Sequence, residues 1–334
     1  MEERFLGLIE QSIKKHWDLK VFSDYKGEIS YRYSDFASKI AEMHILLEKA
    51  GIKEGDKVAL IGKNSSNWAV SFFSILSYGA VVVPILHDFK PANIHHIINH
   101  SDSIALFVAE HNWVALDVEQ IPAVHLIVMV DDFSVIKSAD PEVKKVPEQM
   151  NELFQAKYPN GFTADDLHFY EEESDQLALI SYTSGTTSSS KGVMIPFRSL
   201  WSNTQYAYDN IPFIHAGDNF VCMLPMAHMY GLAFEILNGV NKGCHINFLT
   251  RTPSPKVIVE SFSELKPTLI LAVPLIIEKI VKSQVFPVLK KPLIKFLCAI
   301  PGIKGIIYGK IKAKLDAAFG GKFEEIIIGG ARPD

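Results

Sequence analysis

Residues 57–85, KVALIGKNSSNWAVSFFSILSYGAVVVPI, combine two apolar runs with a helix-length segment between them. The runs 57–62 and 80–85 are rich in valine, isoleucine and leucine, which is typical of buried strands. Residues 67–78 separate the two runs, and a helix between two such strands predicts a parallel βαβ unit with a right-handed crossover. This segment therefore predicts an α/β protein with a mainly parallel sheet.

Small polar residues and glycine mark the ends of the predicted helices. Asn64 and Ser65 are suited to cap helix 67–78, because their side-chain oxygens can accept hydrogen bonds from the free N–H groups of a first turn. Ser34 is suited to cap an earlier helix, and Gly51 is suited to the C′ position that ends it.

The alternation of strands and helices continues on both sides of a charged segment. Further strands are predicted at 104–108, 125–130, 177–182, 219–224, 244–248, 268–272 and 323–328, with helices after Pro196 and His228. Residues 131–175 are rich in charge and end in EEESD, which is typical of a solvated connection with a charged surface. We therefore expect an α/β fold of two lobes, 1–175 including the connection and 176–334, each a largely parallel sheet flanked by helices.

The composition indicates a globular protein and excludes several classes. The chain has 334 residues, 48% of them hydrophobic and 21% charged, so it can bury enough apolar surface to fold. A net charge of −5 argues against a dedicated nucleic-acid binder. Cys222, Cys244 and Cys298 form no CxxC pair and predict buried thiols in a reducing compartment. We expect a cytoplasmic protein, because the N-terminus lacks signal-peptide features and no apolar window approaches ~18 residues.

The segment LALISYTSGTTSSSKGVM, residues 177–194, predicts a phosphate-binding site. A strand runs directly into Thr, Ser and Gly residues, whose small side chains let backbone N–H groups approach an anion. Lys191 adds a mobile positive charge. A flexible linker is disfavoured between a buried strand and a helix, so a polyphosphate is the expected ligand.

Two common motifs do not describe this loop. A Walker loop beginning at Gly185 fails, because Ser190 stands where glycine is needed and Gly192 stands where Ser or Thr would bind magnesium. A nucleophile elbow around Ser184 fails, because Tyr182 stands where glycine is needed.

The sequence YTSGTT at 182–187, followed by KGV at 191–193, resembles the phosphate loop of acyl-adenylate-forming enzymes. That loop usually reads [Tyr/Phe]-Thr-Ser-Gly-Thr-Thr-Gly-x-Pro-Lys-Gly, and this chain departs from it at Ser188 and Ser190. Both replacements are small, so we expect altered loop mobility with phosphate binding retained. Three further stretches resemble motifs of the same family: 51–85, MLPMAHMYGL at 223–232 and IIIGGARPD at 326–334. Within the family the chain is most similar to bacterial long-chain fatty-acid–CoA ligases.

The resemblance implies the layered αβαβα N-terminal domain of adenylate-forming enzymes and the ATP-dependent conversion of a fatty acid to acyl-AMP and then to acyl-CoA. Lys191 would meet the charge that develops on pyrophosphate, and His228 would orient the acyl carboxylate. The alternative for His228 is a residue that only packs near a helix start. A magnesium ion is implied, with Thr183 as its hydroxyl contact. The implied nucleotide-binding residues are Thr183, Ser184, Gly185, Thr186, Thr187, Ser188, Lys191, Gly330, Ala331 and Arg332.

Two other clusters have a simpler interpretation and a functional one. His95, His96 and His100 fall in one predicted helix, where a solvated face is favoured over a metal site because no HExxH motif accompanies them. The stretch 279–314 contains nine lysines and no acid, interleaved with apolar residues. It fits either a peripheral contact with an anionic membrane or a helical hairpin with solvated lysines.

The chain stops at Asp334, just inside the adenine-binding motif of the family. We expect the N-terminal portion of a longer enzyme, without its C-terminal domain, that folds but does not turn over alone. The alternatives are an aryl- or amino-acid-adenylating relative and a noncatalytic nucleotide- or acyl-binding protein. Ser188 and Ser190 give the noncatalytic alternative some support. Acyl chain length and any oligomeric state are not encoded in these motifs.

Overall fold

A computed structural model describes residues 4–183, 191–250, 253–284, 287 and 303–330. Within these residues, two mixed and mainly parallel sheets are flanked by helices, which confirms the predicted α/β class. The helices are α1 (Phe5–Lys15), α2 (Tyr33–Lys49), α3 (Ser66–Ser77), α4 (Pro91–His100), α5 (Glu110–Trp113), α6 (Val146–Lys157), α7 (Phe197–Asn210), α8 (Met229–Gly231), α9 (Asn238–Asn241), α10 (Pro255–Leu265), α11 (Pro274–Gln284) and α12 (Ile303–Ala318), with a π-helix at Leu232–Leu237. The strands are β1 (Lys20–Asp24), β2 (Ser30–Arg32), β3 (Lys57–Ile61), β4 (Val81–Ile85), β5 (Ser103–Val108), β6 (Leu126–Met129), β7 (Val135–Ser138), β8 (Leu177–Thr183), β9 (Lys191–Pro196), β10 (Asn219–Cys222), β11 (His245–Phe248), β12 (Leu269–Ala272) and β13 (Glu325–Ile328).

The predicted βαβ unit forms the middle of a seven-stranded sheet. The strand order is β7-β6-β5-β3-β4-β8-β9, and β3 pairs in parallel with both β4 and β5. The edge strands β7 and β9 are antiparallel to their neighbours. Strand β9 was not predicted, although the helix after Pro196 was predicted and is observed as α7.

The second sheet has six strands in the order β13-β12-β10-β11-β1-β2. Its strands are parallel except for β2. Both sheets draw strands from both sides of residue 175, because β1 and β2 join the second sheet while β8 and β9 join the first. The division into lobes 1–175 and 176–334 stays a prediction about domains, and the sheets exchange strands across it.

The two sheets share one hydrophobic core. A continuous buried cluster contains Leu60 and Phe107 from the seven-stranded sheet together with Phe220 and Phe248 from the six-stranded sheet. Fully burying one such side chain contributes about 1.5–3 kcal/mol. The shared core therefore fixes the two sheets relative to one another.

The helix ends agree with the sequence in most positions. Ser65 caps α3 by accepting a hydrogen bond from Trp68 N at 3.1 Å. Gly51 has a φ of +76° directly after α2, which is the left-handed conformation that glycine adopts readily. The prediction of Ser34 as the cap of α2 was wrong, because the helix begins at Tyr33 and Asp35 Oδ2 accepts a hydrogen bond from Arg32 N at 2.8 Å.

The prediction of a solvated connection at 131–175 was partly wrong: its acidic run is exposed except at Glu172, but the segment is structured. This segment contains β7 and α6, and it buries apolar residues such as Met150 and Phe169. Within its acidic run, Glu172 is only 6% exposed and accepts a hydrogen bond from Leu6 N at 2.7 Å. Burial raises the pKa of Glu172, and the nearby Arg4 guanidinium partly offsets this effect. The charged composition therefore did not reveal that parts of this segment pack against the core.

Two predictions from composition can be compared with the described part of the chain. Cys222 and Cys244 are buried free thiols, as expected, while Cys298 lies outside the described residues. None of the helices in the described ranges is long and apolar enough to cross a bilayer.

Candidate active site

The predicted phosphate loop connects the two strands of a β-hairpin. Strands β8 and β9 are antiparallel, and Thr183 pairs with Lys191 as the last pair before the loop. Both residues are exposed, so the hydroxyl and the ammonium group flank the loop on its two sides. The predicted residues Ser184, Gly185, Thr186, Thr187 and Ser188 lie in the connecting segment, outside the described residues.

The base of this hairpin is packed and hydrogen-bonded. Tyr182 pairs with Gly192, where a Cβ atom would lie 3.0 Å from Tyr182 Cζ and 2.9 Å from Ile180 Cγ2. Only glycine fits this close approach without a shift of its neighbours. On the other side, the Tyr182 hydroxyl lies 2.7 Å from His100 Nδ1, within hydrogen-bond distance.

His228 begins the helical segment that was predicted to follow it. Its Nδ1 accepts a hydrogen bond from Tyr230 N at 3.3 Å, so the imidazole caps α8. The side chain is exposed, which leaves Nε2 accessible to a ligand. His228 is therefore a helix cap with an exposed side chain, and its role towards the acyl carboxylate stays a prediction.

Tyr230 joins the His228 motif to the predicted adenine-binding motif. Its hydroxyl donates to Ile327 O at 3.0 Å, and a Cβ atom at Gly329 would lie 2.7 Å from Tyr230 Cζ. Gly330 follows with a φ of +87°. The carboxyl end of β13 therefore lies against the segment that carries His228. Ala331 and Arg332 lie outside the described residues.

The helices that follow the two motifs pack against each other. Helix α7, which begins directly after β9, contacts the π-helix and α9, which continue the segment that starts at His228. The phosphate-loop hairpin belongs to the seven-stranded sheet, and the His228 and Gly330 segments belong to the six-stranded sheet. This packing and the shared core couple the two groups of predicted residues.

A cleft of about 200 Å³ lies where parallel strands of both sheets end. Its lining includes Lys63 after β3, His87 after β4, Pro225 after β10 and Thr250 after β11. Ligands of α/β proteins bind outside the carboxyl ends of the strands, so this edge is the expected place for a site. Lys63 and His87 were missed, although a basic residue just past a predicted strand was a signal available in the sequence.

Lys63 and His87 line the cleft, and His111 lies beside His87. The rings of His87 and His111 have centroids 6.1 Å apart. Burial lowers the pKa of both histidines, and the positive charge of Lys63 lowers both further. The lowered pKa favours the neutral form of both imidazoles, and Lys63 contributes a positive charge to the cleft lining.

Comparison with known proteins identifies the family. The sequence profile described as "AMP-binding enzyme" matches residues 9–332, which is nearly the whole chain. The chain belongs to the AMP-binding enzyme family. The predicted resemblance to acyl-adenylate-forming enzymes is therefore confirmed.

Curated relatives of this chain include fatty-acid ligases. Long chain acyl-CoA synthetase 7, peroxisomal, of Arabidopsis thaliana is 27% identical over 84% of this chain and 40% of its own length. The long-chain-fatty-acid–CoA ligase of Escherichia coli O157:H7 is 25% identical over 72% of this chain and 45% of its own length. The chain thus spans less than half of the length of these two relatives.

Solved structures share the fold. The inhibitor-bound N-terminal domain of FACL13 from Mycobacterium tuberculosis aligns with a TM-score of 0.70 at 19% identity, covering 99% of this chain and 71% of that chain. A long-chain-fatty-acid–CoA ligase (FadD1) from Archaeoglobus fulgidus aligns with a TM-score of 0.69 at 18% identity, covering 84% and 53%. The chain therefore has the fold of such N-terminal domains, as the sequence predicted.

The other candidate cluster is the set of histidines on α4. No group of three or more His, Cys, Asp or Glu side chains that could hold a metal ion occurs among the described residues. His96 and His100 are exposed on α4, in agreement with the favoured interpretation, and His95 Nε2 accepts a hydrogen bond from Asp117 N at 3.1 Å. The contact of His100 with Tyr182 was not predicted.

Proposed function

We propose that the protein to which this chain belongs activates a fatty acid with ATP and transfers the acyl group to coenzyme A. In the first step, a carboxylate oxygen attacks the α-phosphorus of ATP, the bond to the bridging oxygen breaks, and pyrophosphate leaves. In the second step, the thiolate of coenzyme A attacks the acyl carbon and AMP leaves. The chain spans less than half of its curated relatives, so both steps are proposed for the whole protein.

The observation that carries this proposal is the pairing of Thr183 with Lys191 at the mouth of the phosphate loop. In-line phosphoryl transfer depends mainly on positioning and on neutralising charge. An ammonium group fixed at one side of the loop would meet the negative charge that develops on pyrophosphate. The backbone of residues 184–190 would bind the β- and γ-phosphates, as in the family that the chain belongs to.

The remaining predicted residues have distinct proposed roles. His228, exposed and fixed as a helix cap, would hydrogen-bond the acyl carboxylate. Gly330, with Ala331 and Arg332, would contact adenine. The contact between Tyr230 and β13 supports this arrangement, because it fixes the nucleotide motif beside the carboxylate motif.

Magnesium would enter with ATP. Mg²⁺ is usually held by one or two protein oxygens together with phosphates and water. The exposed hydroxyl of Thr183 fits that limited role, and an all-protein cage is not required. When bound, the ion would neutralise charge on the phosphate oxygens, while Thr183 would orient it.

The proposed acid is a fatty acid because the curated relatives are named as long-chain acyl-CoA synthetases and ligases. The protein would act in the cytoplasm. The stretch 279–314 would form a peripheral contact with an anionic membrane, from which fatty acids are drawn. Only part of that stretch, in α11 and α12, belongs to the described residues.

Binding of stable acyl-adenylate analogues tests the substrate class. Hexadecanoyl-, benzoyl- and phenylalanyl-sulfamoyl adenosine would be titrated into the chain by calorimetry, with unacylated sulfamoyl adenosine as the control. We expect the hexadecanoyl analogue to bind at least about tenfold more tightly than the other acylated analogues, because a long chain buries more apolar surface. Tighter binding of the benzoyl or phenylalanyl analogue would favour an aryl- or amino-acid-adenylating enzyme. Binding of none of the analogues would contradict the proposed function.

A further inference from the structure

The loop that leads to His228 is held by a side chain from the other sheet. Asn64, which follows β3, donates from Nδ2 to Leu224 O at 2.7 Å. Its Oδ1 accepts a hydrogen bond from Met226 N at 3.0 Å. One amide side chain therefore satisfies a carbonyl and an N–H group of the loop and links the loop to the seven-stranded sheet.

A second side chain holds the same loop from the π-helix that follows His228. Met223 N donates to Glu235 Oε1 at 3.4 Å. Glu235 is 1% exposed and lies in the π-helix that follows His228, a type of helix that is frequent at functional sites. Its Oε2 is buried and lacks a hydrogen-bond partner within the described part of the chain. Burial raises the pKa of Glu235 to about 8, so it is an uncharged anchor at neutral pH.

The two contacts act on one short segment. Residues 223–226 lie between the end of β10 and His228, and His228 follows Met226 by only two residues. A shift of this backbone would therefore move the imidazole. Displacement of a substrate-orienting group by about 1 Å can lower activity by two orders of magnitude.

We propose that Asn64 and Glu235 are positioning residues that fix residues 223–226 and thereby set the position of His228 towards the acyl carboxylate. This inference rests on the proposed function of His228. Glu235 is buried and therefore acts only through the loop. Asn64 lines the cleft but directs both of its polar atoms to the loop backbone.

Amide hydrogen exchange in the unmodified chain tests the contact itself. Met226 N donates to a side chain, so we expect its exchange to be slowed at least about a hundredfold relative to an unstructured peptide. Exchange of Met226 at the unstructured rate would overturn the proposal. This measurement requires neither a ligand nor a variant.

Four variants test the positioning role. Asn64→Asp removes the donor to Leu224 O, and Glu235→Leu removes the acceptor for Met223 N, whereas Glu235→Gln keeps an uncharged acceptor. Asn67→Asp is the matched control, because Asn67 is a buried amide that donates to Asp131 O at 2.9 Å, away from this loop.

The readout is binding of hexadecanoyl-sulfamoyl adenosine compared with binding of AMP. We expect Asn64→Asp and Glu235→Leu to weaken binding of the acylated analogue at least about tenfold and binding of AMP less than about threefold. Glu235→Gln and Asn67→Asp should leave both affinities within about threefold of the unmodified chain. The proposal would be overturned if Asn64→Asp and Glu235→Leu weakened binding of both ligands equally or had no effect. It would also be overturned if Glu235→Gln weakened binding as much as Glu235→Leu.

The proposed function and this inference fail in different ways. If the unmodified chain binds neither ligand, the proposed function is contradicted. Hydrogen exchange at Met226 then decides the contact: faster exchange in Asn64→Leu, which removes the acceptor for Met226 N, but not in the control Asn67→Leu, supports it. Equal exchange in both variants overturns it. If one variant does not fold, hydrogen exchange at Met226 in the unmodified chain still tests the contact. The comparison of Glu235→Gln with Glu235→Leu then tests the positioning role.

Discussion

The burial of Glu235 makes the free energy of unfolding depend on pH. Desolvation raises the pKa of this carboxyl from 4.5 to about 8 in the folded chain. Between these two pH values the folded chain keeps a proton that the unfolded chain releases. The contribution of Glu235 to stability therefore falls as the pH rises from 4.5 towards 8, and it is level above that range.

Replacing Glu235 with Gln should remove this pH dependence. The free energy of unfolding of Glu235→Gln, minus that of the unmodified chain, should increase from pH 5 to pH 8 by on the order of 4 kcal/mol. Urea unfolding of both proteins at several pH values measures this difference, in which other titrating groups cancel. An unchanged difference between pH 5 and pH 8 would show that Glu235 is already ionised in the folded chain.

Among the elements, the sequence predicted those with long apolar runs. The predicted ends of β3, α3 and β4 differ from the observed ends by no more than one residue. The prediction succeeded because the strands are buried on both faces and Ser65 marks the start of the helix. Strand β2 has three residues, and β9 is an exposed edge strand, so neither shows an apolar run. Strand β1 pairs with β11, more than two hundred residues away, and no local pattern encodes that pairing.

The candidate site was predictable to a similar extent. The small residues and Lys191 predicted a phosphate loop, which stays a prediction because residues 184–190 lie outside the described residues. The predicted start of α8 after His228 was correct. The contacts that fix these elements are long-range. Asn64 was predicted only as a helix cap, whereas the structure shows it bonded to residues 224 and 226. Such side-chain bonds depend on the packing of the two sheets, which spacing along the chain does not reveal.

The hydrogen bond between Tyr182 and His100 should stabilise the base of the phosphate-loop hairpin. Tyr182→Phe removes the hydroxyl that lies 2.7 Å from His100 Nδ1, so we expect a loss of about 1 kcal/mol in the free energy of unfolding. His96→Ala is the control, because His96 lies on the same helix face and contacts His100 only ring to ring at 5.5 Å. Chemical denaturation measures both. Equal effects of the two substitutions would argue against the bond.

At the scale of the whole molecule, α12 is a surface helix that carries both exposed apolar residues and exposed lysines. Ile306 and Tyr308 are 62% and 51% exposed, and Lys310 and Lys312 are exposed on the same helix. A basic surface with apolar side chains is suited to the headgroup region of an anionic bilayer. Lys290, Lys291 and Lys295, which belong to the same predicted surface, lie outside the described residues.

We expect the chain to sediment with phosphatidylglycerol vesicles more strongly than with phosphatidylcholine vesicles. Lys310→Glu combined with Lys312→Glu should reduce sedimentation several-fold, because each basic residue near an anionic surface contributes about 1 kcal/mol. Lys53→Glu combined with Lys144→Glu, both exposed elsewhere, is the control of equal charge change. Sedimentation that does not depend on the anionic lipid would exclude the proposed membrane contact.

Lys191, paired with Thr183 at the mouth of the proposed phosphate loop, is expected to contact the β- and γ-phosphates of ATP. The most direct measurement compares the affinities of the chain for ATP with Mg²⁺ and for AMP, in the unmodified protein, in Lys191→Ala and in the control Lys144→Ala. We expect Lys191→Ala to weaken the binding of ATP at least about tenfold and the binding of AMP less than about twofold. Lys144→Ala should change neither affinity. Unchanged ATP affinity in Lys191→Ala, or equal weakening of ATP and AMP, would contradict this expectation.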